Sequence, residues 1–332
     1  MDELLSNALR QLLRDQCTPQ RVRETEAGKP AEALWRSIED SGFANAMLTE
    51  SQGGAGLGLA EAFSLFELCG EYAVPAPLSE TLLARGLLAQ AQATIPPGSI
   101  TLAQGQLDSQ GNLQCDSVRC GQVARWVLVR ADQQCWLLPS ALAHPSAAVF
   151  ALDANLRWSA QQLAQFDKVN SLHDTRTLQA CIYAAQISGA LNVVFQSTLQ
   201  FANERQQFGR SIGKFQAIQH QLSVMSEHCF AARAAAQIGC QTPGLEPDRL
   251  KVAVAKARSS EAALEVAALS HSIHGAVGFT EELDLQLFTR RLHLWRQAGG
   301  SESYWHQVLG AELVNQRQGP ALDLIRHLTD FA

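Results

Sequence analysis

The sequence predicts a mainly α protein with a small β domain at its centre: an N-terminal helical domain, a middle β domain and a C-terminal helical bundle. Three observations predict it. Apolar residues recur at spacings of three and four over both ends of the chain. Between about residues 96 and 166 the apolar runs are instead short and separated by turn residues. The chain is 332 residues long, 46% hydrophobic and only 17% charged, enough for a buried core in two or three layers. The expected domain boundaries are 1–95, 96–166 and 167–332.

In the first segment, Leu5, Leu9 and Leu12 fall at helical spacing. Glu50-Ser-Gln-Gly-Gly-Ala-Gly-Leu-Gly58 is a turn-rich loop leading into an apolar helix from about Leu59 to Gly70. Pro75 and Pro77 break the chain before a further helix, about Leu78–Ala93. In the middle segment, Ile100–Ala103, Trp126–Val129, Trp136–Leu138 and Val149–Leu152 read as strands, with turns at Asp108-Ser-Gln-Gly-Asn112 and Ala131-Asp-Gln-Gln134. From Asp167 the helical signal returns. Leu178, Ile182, Ala185, Gly189 and Val193 mark one face, and Ile218, Leu222, Met225, Cys229, Ala232 and Ala236 another. Thr242-Pro-Gly-Leu-Glu-Pro247 ends that second helix, and the next runs from an N-cap at Asp248 to about His274. Gly299-Gly300-Ser301 splits the last helical stretch in two. Long, weakly charged, Ala-rich helices of this kind suit a bundle with more than one buried face.

The formal net charge is -6 and there is no long Lys/Arg run, which argues against nucleic acid as a partner. No apolar run approaches the roughly 20 residues needed to span a bilayer, so no membrane span is expected. Met1-Asp2-Glu3 opens without a secretion signal, and a cytoplasmic location is expected. The eight cysteines are scattered, without a Cys-x-x-Cys pair, and read as free thiols. The nine histidines lack zinc-binding spacing, and no metal is expected.

Three segments deserve chemistry. Gly54-Ala-Gly-Leu-Gly58 has the wrong spacing for a dinucleotide loop and no strand before it, so it reads as the turn ahead of a helix. Glu204-Arg-Gln-Gln-Phe-Gly-Arg-Ser-Ile-Gly-Lys-Phe-Gln-Ala-Ile-Gln-His220 puts an Arg between two helices, one ending around Phe208-Gly209 and the other starting around Lys214-Phe215. A guanidinium beside a helix start suits an anionic diphosphate, and Phe208 and Phe215 suit a flat ring. A plain helix hairpin with a solvated Arg fits the same residues. His271-Ser-Ile-His-Gly-Ala-Val-Gly-Phe-Thr-Glu-Glu282 is a helix end whose Gly275, Ala276 and Gly278 allow a ligand or another backbone to approach. His271 and His274 share a helical face there, and without a third ligand they read as capping or core residues.

Taken together, these segments resemble the acyl-CoA dehydrogenase family. Glu204-Arg-x-x-Phe-Gly followed by Phe215-Gln-x-Ile-Gln-His220 is similar to its signature between two C-terminal helices. Gly275-x-x-Gly-Phe-Thr-x-Glu282 is similar to its glycine-rich turn, and Glu50 to Gly58 to its N-terminal glycine loop. The resemblance covers nearly the whole chain. It implies that family's fold, ending in a C-terminal four-helix bundle, with FAD as cofactor and an acyl-CoA as substrate. It implies a reaction in which a proton is taken next to the thioester carbonyl and a hydride passes to the flavin, giving a 2-enoyl-CoA. By the same resemblance, Arg205, Phe208, Gln216, Gly275 and Ala276 touch the FAD of a neighbouring subunit, and an electron-transfer flavoprotein receives the electrons.

The departures from the family pattern are as telling. The base, Glu in Tyr-Glu-Gly-Thr, falls at Gly299 when counted without gaps from Gly278-Phe279, and the alternative position counted back from Arg205 is Gln179. The flavin-ring stretch Glu-Pro-Gly-Ala-Gly-Ser-Asp has no counterpart around Ile100–Gly105, and the Trp-Ile-Thr or Trp-Ile-Ser strand is missing. Ser272 and Ala276 stand where Gln and Gly are usual. Compact, degenerate chains of this sort resemble the supporting subunits of heteromeric acyl-CoA dehydrogenases that act on steroid side chains. The expectation is therefore a chain with no catalytic residue of its own, working beside a full-length acyl-CoA dehydrogenase subunit. Two rivals remain open: an active homo-oligomer with a displaced carboxylate at Glu281, Glu282 or Glu302, and a non-catalytic assembly protein on the same fold.

Overall fold

The structure, a computed structural model, describes residues 2–170, 173–242, 244–315 and 321–329. It divides into two compact units. The first comprises Met1–Leu65, Val74–Gln179 and Pro243–Glu246; the second comprises Phe66–Ala73, Ala180–Thr242 and Pro247–Ala332.

The first unit opens with α1 (Asp2–Gln16), α2 (Pro19–Glu26) and α3 (Glu32–Asp40). Leu9 and Leu13 of α1 are fully buried, while Leu5 and Leu12 of the expected face are half-buried. Pro19 begins α2 at a position where its missing N–H costs nothing, behind the Thr18 cap. The glycine loop leads directly into α4 (Leu59–Glu71), and α5 (Leu78–Gln90) is buried on nearly every side. A buried cation on such a helix needs full pairing. Arg85 has it at both terminal nitrogens, Nη1 with Asn45 Oδ1 at 2.6 Å and Nη2 with the Glu39 carboxylate and the Gly98 carbonyl at 3.0 Å, while its Nε has no partner among the described residues. Glu39 also accepts from Gly98 N–H at 2.9 Å and Trp35 Nε1 at 2.9 Å.

Seven strands follow: β1 (Ile100–Gln104), β2 (Gln106–Leu107), β3 (Leu113–Val118), β4 (Trp126–Ala131), β5 (Gln134–Pro139), β6 (His144–Ala147) and β7 (Ala154–Trp158). One sheet has the order β1-β4-β5, with β1 and β4 parallel. The other, β2-β3-β7-β6, is antiparallel throughout. Both contribute to one apolar cluster around Trp136 and Trp158. The expected strand at Val149–Leu152 is not one: those residues form a bend and turn between β6 and β7. The apolar run serves the turn instead. Asp153 N–H bonds Phe150 O at 3.0 Å, Phe150 lies by Arg119, and Arg119 pairs with the buried Asp153 carboxylate. β3, absent from the sequence expectation, alternates buried and exposed residues but is diluted by polar ones.

After the short α6 (Ala160–Leu163), α7 (Thr175–Glu204) runs into the second unit. α7 is longer and more apolar than the sequence reading allowed, enough to cross a membrane by length and composition; 78% of its most apolar window is buried inside the fold, as in a core helix, which does not support a span. α8 (Gln216–Cys240), α9 (Arg249–His274), α10 (Leu285–Gln297), α11 (Glu302–Asn315) and α12 (Ala321–Thr329) complete the chain. α9 is central and packs against α8, α10 and α11. Asp248 caps it, accepting from Leu250 and Lys251 N–H at 2.8 and 2.9 Å. The architecture is thus mainly helical with a small sheet region. Among the described residues all eight cysteines are free thiols, and Cys181 and Cys240 touch, sulfur to sulfur, at 3.5 Å.

Within the second unit α4 and α7 cross backbone against backbone. A Cβ on Gly70 would lie 1.8 Å from Gln186 O, and one on Gly189 would lie 2.0 Å from Glu67 O. Glu67 clamps the crossing: it accepts from Ser188 Oγ at 3.1 Å and from two nitrogens of Arg233 on α8, at 2.8 and 3.1 Å. Gly189→Ala should therefore lower stability by about 1–3 kcal/mol, measured by urea unfolding, as overpacking against rigid backbone does. Gly310 of α11 has nothing within 4 Å of its missing Cβ. Gly310→Ala should instead raise stability by roughly 0.5–1 kcal/mol.

Candidate functional site

The segment after α7 folds differently from the expected helix hairpin. α7 stops at Glu204, four residues short of Phe208, and a small β-hairpin follows: β8 (Gln206–Gln207) against β9 (Arg210–Ser211). Its two-residue loop, Phe208 and Gly209, has φ of 52° and 79°. That is the left-handed pair that a tight hairpin demands, and a helix cannot continue through it. Gly209 adopts it freely; Phe208 does so with a ring that stays 90% exposed. Phe215 meets that ring edge-on at 6.1 Å, and the Arg210 guanidinium lies 4.2 Å from the centre of the Phe215 ring. α8 starts immediately after Phe215, and no side chain caps it. Arg205 is exposed, and among the described residues no carboxylate pairs with it. Gln216, the first residue of α8, is exposed too.

α9 ends in a tight turn, Gly275–Phe279. Gly275 has φ 64° and nothing within 4 Å of where a Cβ would stand, and both it and Ala276 are exposed. His274 stacks on Phe201 at 4.3 Å, which joins the end of α9 to the last turn of α7. The hairpin, the start of α8 and the glycine turn therefore meet at one end of the bundle. All five residues expected from the sequence, Arg205, Phe208, Gln216, Gly275 and Ala276, lie on that end with their surfaces open.

The two histidines are structural. His271 Nε2 shares a hydrogen bond with Thr289 Oγ1 at 3.0 Å and its ring stacks on Phe279 at 4.3 Å, while His274 Nδ1 meets Ser270 O at 2.8 Å. Burial lowers the pKa of both, favouring neutral rings. Among the described residues no group of three or more His, Cys, Asp or Glu is placed to hold a metal.

Both positions counted from the family's base have other work. Gln179 Nε2 donates to Leu102 O at 2.9 Å, tying α7 to β1. Gly299, at φ 68°, accepts from Trp305 Nε1 at 3.0 Å. Glu302 pairs with Arg296; burial pulls its pKa up, but its own backbone N–H and the Arg296 guanidinium outweigh that and leave it below the ordinary value. Glu281 and Glu282 are exposed. One residue that the sequence reading missed is Lys256, wholly buried in α9, whose ammonium reaches this Gly299 turn. Its signal was faint: a lone cation inside the apolar run Val252–Ala257.

A family model described as acyl-CoA dehydrogenase, C-terminal domain, matches residues 170–313. The chain is 30% identical over 294 residues to the acyl-CoA dehydrogenase IpdE2 of Mycobacterium tuberculosis, covering 88% of this chain and 90% of that one. Among solved structures it shares its fold with the ChsE4-ChsE5 complex from Mycobacterium tuberculosis, at a TM-score of 0.77 and 21% identity over 96% of this chain and 98% of that one. It shares it also with a variant of the Tcur3481-Tcur3483 steroid ACAD, at a TM-score of 0.81 and 22% identity over 94% and 97% of the two chains. The chain belongs to the acyl-CoA dehydrogenase family, flavoproteins that oxidise a CH–CH bond with FAD.

Proposed function

We propose that this chain is the supporting subunit of an FAD-dependent acyl-CoA dehydrogenase that converts an acyl-CoA to a 2-enoyl-CoA, with the proton-abstracting carboxylate supplied by a full-length partner chain. The observation that carries this reading is the state of the two base positions. Gln179 is an amide bound to a strand carbonyl, and Gly299 is bare backbone in a pinned turn. The acids nearest in sequence are either ion-paired, as Glu302 is, or solvent-exposed. On this reading residues 1–95, 96–166 and 167–332 are the helical, β and helical domains of the family fold.

The open end of the bundle fits a flavin dinucleotide on its own chemistry. Bound FAD supplies the hydride acceptor. Arg205 offers to a diphosphate a planar fork that no carboxylate among the described residues pairs with, and the uncapped start of α8 adds backbone N–H groups beside it. Gln216 donates an amide, Phe208 gives a flat apolar wall, and the backbone at Gly275 and Ala276 admits close approach. All five face outward, which suits a flavin shared with a partner. Reduced flavin would pass its electrons to an electron-transfer flavoprotein. The steroid dehydrogenase among the structural neighbours favours a steroid-derived acyl group.

The purified chain alone should be nearly colourless and become stably yellow only with a full-length dehydrogenase partner. An absorbance spectrum decides it: stoichiometric FAD with acyl-CoA turnover in the solitary chain would overturn the reading. Arg205→Ala should weaken FAD binding to the apo complex by roughly tenfold or more while leaving the fold intact, since a charge-assisted contact is lost. Unchanged affinity on titration would make Arg205 a surface cation only.

Glu281→Gln, Glu282→Gln and Glu302→Gln should each lower turnover of the complex by less than about tenfold, below the ~10²–10⁴ that a positioned base contributes. A hundredfold loss in one of them, with normal flavin content and assembly, would place the base in this chain.

A further inference from the structure

An ammonium group deep in a helix bundle is costly unless every proton has an acceptor. Lys256 lies in the N-terminal third of α9, with no exposed surface, among Ala, Val and Ser. Its Nζ donates to Arg296 O at 2.8 Å, Gly300 O at 3.0 Å and Ser260 Oγ at 3.1 Å. Three donors meet three acceptors. Two of those acceptors belong to the end of α10 and the turn after it, where the last carbonyls of a helix lack intrahelical partners. Lys256 is thus a C-cap delivered from a neighbouring helix, with its charge at the end of α10 where the dipole favours a cation. The turn itself is left-handed, with φ of 68° at Gly299 and 98° at Gly300, and Trp305 Nε1 holds the Gly299 carbonyl from the other side.

We propose that Lys256 is a positioning residue that pins the Arg296–Ser301 turn onto α9, and that the protonation of this one side chain sets how firmly the turn is held. The proposal stands apart from the flavin reading, since none of the five residues at the open end takes part. The charged groups that act on Lys256 are Glu302 at the start of α11, which favours the ammonium, and Arg296 near the end of α10, which opposes it. Burial is the strongest influence and brings its pKa down to about 7. In the ammonium form the two carbonyl bonds are charge-assisted. In the neutral form the amine still donates to both carbonyls, and the Ser260 hydroxyl can turn to donate to the nitrogen. The pin persists in both states but is stronger in the charged one.

Two opposite trends follow. The hold on the turn weakens as pH rises through about 7. Global stability moves the other way. In the unfolded chain a lysine stays protonated to about pH 10.4, so between the two values the unfolded state binds the extra proton and Lys256 makes stability rise with pH. A residue that merely fills space produces neither trend.

The test is hydrogen exchange on the full-length chain, corrected for the intrinsic pH dependence, together with urea unfolding at pH 6 and pH 8. In the wild type, protection of the Ala298 amide, which donates to Leu294 O at 3.1 Å where the turn begins, should fall by roughly tenfold between these values, the scale of one hydrogen bond's loss of charge assistance. Over the same range the urea midpoint should rise relative to Lys256→Met. In Lys256→Met the turn should exchange fast at both values. A wild-type turn with no pH dependence, or a Lys256→Met protein that keeps it, overturns the proposal. Should Lys256→Met fail to fold, Glu302→Gln serves: removing the carboxylate that favours the ammonium must move the midpoint of the exchange profile to lower pH. No movement, or movement to higher pH, overturns it equally.

Discussion

Two helices can run backbone against backbone only where neither carries a side chain, and Gly70 and Gly189 meet that condition at the crossing of α4 and α7. Carbonyl oxygens occupy the space where each Cβ would stand, so the axes are as close as helices come. The Glu67 carboxylate then brings in α8 through Arg233, and Ser188 holds the carboxylate from α7. Three helices from distant parts of the sequence are fixed by one glycine pair and one acid. With the course of α7 set, its end at Glu204 is set as well, and the hairpin and the start of α8 project from a defined point. The open end of the bundle depends on a contact several turns away that touches no ligand.

Charged groups buried elsewhere follow the same logic. Glu39 with Arg85 joins α3, α5 and the approach to β1, and Arg119 with Asp153 joins the turn before β4 to the turn before β7. Lys256 joins α9 to the turn after α10. In each case an ionic group binds backbone as well: Gly98 for the first pair, the Cys120 N–H for the second, and two carbonyls for Lys256. Such groups add little net stability against an apolar core of equal volume. What they do is make alternative packings costly, because any other arrangement strands a charge or a carbonyl.

Much of the helical frame was legible in the sequence because it is written locally. The Asp248 cap, the Gly299-Gly300 break and the apolar faces of α7 and α8 depend on residues within a few turns of one another. The failures have one cause: local patterns whose use is decided by distant partners. Val149–Leu152 is as apolar as a strand, but Asp153 and Arg119 draw it into a turn. Phe208-Gly209 reads as the end of a helix; the pairing of Gln206–Gln207 with Arg210–Ser211 makes it a hairpin. The apolar length of α7 is a consequence of burial on most of its surface. At the candidate site the sequence could nominate five residues but not their common exposure at one end, because that rests on the stacking of Phe201 on His274. Lys256 was faint for the same reason: its two carbonyl acceptors lie 40 and 44 residues away.

The thiols have a practical consequence for anyone wishing to attach a probe. Burial pushes Cys115 and Cys229 up to about 12 and Cys135 to about 11, and the touching pair Cys181 and Cys240 has no exposed surface. At neutral pH Cys115, Cys135 and Cys229 carry almost no thiolate, the form that reacts with maleimides and iodoacetamides, and the touching pair is out of a reagent's reach. Val149, by contrast, stands fully in solvent on a turn between two strands. A cysteine placed there would be alkylated ahead of those native thiols. A fluorophore or spin label could then report on the β region without first removing those five sulfurs.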